Sequence, residues 1–178
     1  MIKRMETPTR TERLGRPENG KVTLQLGELS YTFTNKTNIP FNWLDQACLG
    51  LRHLMPFNVH GVTEDSTKLY CIVSFYNCHI VKETADYLPS AFTDEEFPLD
   101  SHYVNMWYFC LALHDDIRAN LDSWTEWVLS CEESTHIKGT DKTSDFNTIK
   151  DQLLEKLDFL DSLLGRTTHD FMEGSYLF

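Results

Sequence analysis

Val22-Thr23-Leu24-Gln25-Leu26-Gly27-Glu28-Leu29-Ser30-Tyr31-Thr32-Phe33 is the stretch on which the fold turns. Val22, Leu24 and Leu26 alternate with polar neighbours, and so do Leu29, Tyr31 and Phe33, but on the opposite parity. A two-residue hairpin turn at Gly27-Glu28, with glycine at its first central position, accounts for the flip. It predicts the pairs Leu26 with Leu29, Leu24 with Tyr31 and Val22 with Phe33, all six side chains on one face.

Upstream, residues 1–20 are rich in chain breakers (Thr7-Pro8-Thr9, Gly15-Arg16-Pro17-Glu18-Asn19-Gly20) and show no apolar period, so they read as a flexible arm. Residues 21–178 then form one domain, a length that buries a sizeable core. Downstream, Asn38-Ile39-Pro40 opens a helix, since proline is tolerated in the first turn. Phe41, Leu44, Cys48, Leu51 and Met55 give its apolar stripe, and Pro56 ends it. Residues 57–63 and 68–83 read as a second hairpin around Glu64-Asp65-Ser66-Thr67. The run Leu69–Tyr76 is apolar on both parities, as in a strand covered on both faces. A long connection spans 84–100, where Thr93-Asp94-Glu95-Glu96 has a capping-box pattern.

From Ser101 to Cys131 there is no glycine or proline. A period of 3.6 (Val104, Trp107, Leu111, His114, Ile117, Leu121, Trp124, Val128) predicts one long helix, or two with a bend at 114–116. Phe146, Ile149, Leu153, Leu157, Leu160 and Leu164 predict a last amphipathic helix over 144–164, with Gly165 as its stop signal. The order ββ-α-ββ-α-α, two hairpins with helices between and after them, is an α+β layout: an antiparallel sheet covered by helices.

Charge narrows the function. The net charge is −11, yet residues 1–21 carry six basic and three acidic side chains. Residues 83–133 hold twelve acidic side chains against the single base Arg118. Such a field repels nucleic acid and anionic lipid and speeds encounter with a basic partner. No apolar run approaches the ~20 residues that span a bilayer, and the N-terminus has no signal-peptide apolar region. The five cysteines (Cys48, Cys71, Cys78, Cys110, Cys131) are odd in number and have no C-x-x-C spacing. That usage points to free thiols in a reducing compartment, the cytoplasm.

Catalytic and cofactor motifs are missing from the sequence: no H-E-x-x-H, EF-hand loop, G-x-G-x-x-G, G-K-[ST] or G-x-S-x-G. No cofactor is expected, and the balance favours a non-enzyme. The enzymatic alternative is a metal-assisted hydrolase, with His114, Asp115 and Asp116 as candidate ligands. A Cys–His dyad would need distant residues, such as Cys71 with His60 across the second hairpin. Trp127, beside the helical stripe and flanked by Glu126, Glu132 and Glu133, is the candidate exposed anchor.

The leading reading is an acidic protein-binding module. In style (one acidic α+β domain without a catalytic motif) the chain resembles the small acidic immunity proteins that bacteria pair with secreted toxins. The resemblance implies an inhibitor that neutralises a basic partner such as a bacterial toxin. Asp94, Glu95, Glu96 and Asp100 on the long connection, with Glu126, Trp127, Glu132 and Glu133 at the helix end, would meet that partner. A third reading is a self-associating adaptor, a homodimer built on the last helix and Tyr176-Leu177-Phe178.

Overall fold

A computed structural model describes residues 10–83, 99–132 and 142–172. The decisive hairpin forms in the expected register. Strands β2 (Lys21–Leu26) and β3 (Leu29–Thr34) pair antiparallel, with Leu26 opposite Leu29, Leu24 opposite Tyr31 and Val22 opposite Phe33. Gly27 takes φ +61°, and a Cβ there would lie 2.9 Å from the His102 ring, so both backbone and space require glycine.

Part of the stretch expected as a flexible arm is strand. Glu12–Leu14 forms β1 and pairs with β2, with Leu14 opposite Leu24. Asn19 (φ +53°) and Gly20 (φ +72°) make a two-residue turn between Glu18 and Lys21, whose backbones exchange hydrogen bonds at 2.9 and 3.0 Å.

Helix α1 (Ile39–His53) starts at Asn38, whose side chain accepts from the Phe41 N–H, and Leu54 ends it in the left-handed region. Its buried face is Ile39, Trp43, Leu44, Ala47, Cys48 and Leu51, whereas Met55 is exposed. The Trp43 indole N–H donates to the His60 carbonyl at 2.8 Å and its ring meets Phe33 edge-on, fixing α1 against both sheets.

The second sheet runs β4 (Phe57–Val62), β5 (Lys68–Val73), β6 (Asn77–Lys82) and β7 (Asp100–Tyr103), all antiparallel neighbours. The single strand expected over 68–83 is therefore two, joined where the Ser74 N–H meets the Asn77 carbonyl at 2.7 Å. An isolated bridge between Phe33 and Thr63 links this sheet to the first, and among the described residues one apolar core is shared by the two sheets and four helices.

The helix expected over 101–131 is also divided. Residues 100–103 are strand, α2 spans Met106–Ala119 and α3 spans Leu121–Ser130. The break falls at Asn120, not at 114–116; the Asn120 side-chain amide donates to the Asp116 carbonyl at 3.2 Å. Helix α4 (Lys142–Met172) is longer than expected and continues through Gly165. An interior glycine costs about 1 kcal/mol. Burying Phe171, which packs against Phe75, returns about 1.5–3 kcal/mol. Among the described residues no helix is long and apolar enough to cross a membrane.

Candidate functional site

Helix α3 presents the functional candidates, and its inner face dictates how. Trp124, Trp127 and Val128 recur at three- and four-residue steps and are all buried. Trp127 is only 3% exposed, and its indole N–H donates to the Thr37 carbonyl at 2.9 Å. This corrects the expectation of an exposed anchor: the ring ties α3 to the entry of α1. Glu126 and Glu132 do face solvent. Asp94, Glu95, Glu96 and Glu133 lie outside the described residues. Asp100 is not a free surface charge, because it accepts a hydrogen bond from the Tyr31 hydroxyl at 2.5 Å. Burial, the bond to Asp100 and that negative charge hold the Tyr31 phenol well above its ordinary pKa.

The other acids of the middle third are engaged within the chain. Asp116 accepts from Arg10 Nη2 at 2.6 Å and from the Leu14 N–H at 2.7 Å. Asp122 faces Lys150 at 2.9 Å. Asp115 accepts from His114 Nδ1 at 2.9 Å. His114 Nε2 is buried without a hydrogen-bond partner, 3.9 Å from Asp161 Oδ1. His114, Asp115 and Asp116 therefore do not converge as ligands: Asp116 is turned onto β1. Among the described residues no group of three His, Cys, Asp or Glu side chains could hold a metal ion.

The Cys71–His60 pairing fails on strand parity. Cys71 points into the core beside Cys78, whereas His60 stacks on Tyr70 on the other face. The hydrogen bond with Cys78 and burial push the Cys71 thiol well above its ordinary range, the opposite of an activated nucleophile.

One corner gathers carboxylates. Glu18, at the Asn19-Gly20 turn, and Glu126, on α3, both line a cavity of about 130 Å³ together with Asn35, Gly20, Ser123 and Ser130. Asn35 donates to Ser130 Oγ at 2.5 Å, and its buried Oδ1 has no hydrogen-bond partner. The Glu132 N–H reaches the Asn35 carbonyl at 3.5 Å, so its backbone adjoins this corner although its side chain does not line the cavity. Glu18, Glu126 and Glu132 form no ion pair with any described residue. Arg16 is nearby but donates to Ser123 Oγ at 3.2 Å.

The last turn of α3 contains no basic residue, so its carbonyl end adds negative potential to these side chains. The cavity has room for roughly four waters, or for one ammonium or guanidinium head. Glu18 and Asn35 were missed in the sequence because both lie far from the acidic window. Asn19-Gly20, a standard hairpin signal, was the cue that would have placed Glu18.

Comparison with protein-family models, curated proteins and solved structures gives no match for this chain.

Proposed function

We propose that the protein is an acidic protein-binding module that takes a basic partner at the corner formed by Glu18, Glu126, Glu132 and Asn35. The observation that carries the reading is the pair of carboxylates, Glu18 and Glu126, that line one cavity sized for a basic head group and form no ion pair with a described residue. The negative end of α3 reinforces their field. A Lys or Arg side chain entering the cavity would replace water with charge-assisted hydrogen bonds. The net charge of −11 would steer its approach. In its finer form the partner is a basic toxin that this chain neutralises, as the size, charge and layout of the domain suggested.

Affinity capture on the tagged chain tests both levels. A basic partner should be recovered at low salt, released at high salt, and lost with Glu18→Lys or Glu126→Lys. A toxin should additionally arrest growth when expressed alone and not when co-expressed with this chain. A partner whose retention ignores both salt and the two charge reversals would refute the reading.

A further inference from the structure

The helix pair α1 and α4 carries a second feature, independent of the acidic corner. Between the two helices opens a groove of about 340 Å³. Its apolar surface comes from Leu49 (43% exposed) and Phe159 (42% exposed), which face solvent from opposite helices, with the buried Cys48 between. The Cys48 thiol is pushed up to about 11 by burial and the nearby Asp45, so it serves as apolar lining and not as a reactive group.

The rim is electrically balanced, with Asp45 and Glu155 against Arg52 and Lys156. Two of the four neutralise each other within the chain. Lys156 Nζ lies 2.5 Å from Asp45 Oδ1 and 5.3 Å from the centre of the Phe41 ring. Arg52 and Glu155 are both exposed and pair with no described residue. The groove thus leaves one cation and one anion open beside two solvent-facing apolar side chains.

A strongly basic or acidic partner finds no net charge to read here. A surface that offers one positive and one negative group around an apolar centre is complementary to itself. We propose that this groove is the contact surface between two copies of the chain. A two-fold axis would place Leu49 and Phe159 at the centre and Arg52 of each copy against Glu155 of the other. In such an isologous contact the pair occurs twice. The apolar centre supplies the affinity and the charge pair fixes the register. Each copy carries −11, so long-range repulsion opposes the contact and the local complementarity must overcome it.

Sedimentation equilibrium on the full chain tests this, with circular dichroism as the folding control. All four side chains are exposed, so the variants should melt with the wild type. A dimer should form by about 100 µM. Leu49→Ser and Phe159→Ser should each weaken it by about ten-fold or more. Arg52→Glu and Glu155→Arg should each weaken it by about three-fold or more, and the double variant should return to within about two-fold of wild type. Glu155→Arg is the sharpest arm. It changes the net charge from −11 to −9, so a dimer limited only by overall repulsion would strengthen. A wild-type chain that stays monomeric throughout overturns the proposal. So does a dimer indifferent to Leu49→Ser and Phe159→Ser, or a double variant weaker than both charge reversals.

Discussion

Replacing Asp116 by alanine should cost far more than its place on the outside of a helix suggests. The carboxylate is only 13% exposed and joins α2 to β1 in two ways: one oxygen accepts from Arg10 at 2.6 Å, the other from the Leu14 N–H at 2.7 Å. Leu14 is 3% exposed, so its N–H has little access to water once the carboxylate is gone. An orphaned buried donor costs about 1–3 kcal/mol. The Arg10 pair, with its guanidinium 29% exposed, adds at most about 1 kcal/mol. Asp116→Ala should therefore lose about 1–4 kcal/mol. In a domain of this size that lowers Tm by roughly 2–16 °C. Asp116→Asn keeps an acceptor for the Leu14 N–H and should lose about 1 kcal/mol, close to Arg10→Ala. Urea unfolding gives the ranking. Hydrogen exchange gives the place: the Gly27 amide, which donates to the Thr11 carbonyl at 2.8 Å, should exchange faster while β5 and β6 keep their protection. If Asp116→Ala and Arg10→Ala cost the same, the backbone bond contributes nothing and the reasoning fails.

Two further outcomes follow from the buried polar groups. The unfolded phenol titrates near 10 and the folded Tyr31 higher, so the folded state gives up stability as pH climbs from about 10 upward. Urea midpoints between pH 8 and 11 should fall less steeply in Tyr31→Phe, the residual slope belonging to the buried thiols Cys48, Cys71 and Cys110; an unchanged slope would exclude Tyr31 as its source. Trp127→Phe removes one of two donors to the Thr37 carbonyl, which keeps the Ile39 N–H at 2.8 Å, and should cost about 0.5–1.5 kcal/mol in urea melts. A stability unchanged by that substitution would mean that the indole bond does not tie α3 to α1.

The fold was legible where one physical signal acted alone. Alternation with a parity flip at Gly27-Glu28 placed β2 and β3 in the correct register. It failed where signals overlapped. Ser74-Phe75-Tyr76 turns without glycine or proline, so β5 and β6 read as one strand. Helical periodicity carried α2 and α3 across Asn120, because the apolar stripe keeps its phase through the break. Gly165 looked like a stop, yet Phe171, buried beyond it, holds another turn and more of α4 in place. The Trp127 site was misread because a helical stripe two tryptophans wide has no exposed edge: the residue beside the stripe found its own partner in Thr37.

The acidic window from 83 to 133 shows why sign is readable from a sequence and place is not. Coulomb energies follow separation in space, and a window follows separation along the chain. Of the window's described acids, Asp116 and Asp122 answer Arg10 and Lys150, which lie outside it, and Asp115 answers His114. Glu83 and Asp100 accept from the Tyr70 and Tyr31 hydroxyls. What remains is Glu126 and Glu132, and the Asn19-Gly20 turn brings Glu18 from the expected arm onto the cavity that Glu126 lines. Arg10 of the arm thus cancels one acid of the window, while Glu18 of the same arm joins Glu126 at one cavity. Any function resting on this charge is therefore a property of how β1 and the Asn19-Gly20 turn dock on α2 and α3. Loosening that docking, as Asp116→Ala should, ought to weaken partner binding without removing a single carboxylate of the corner.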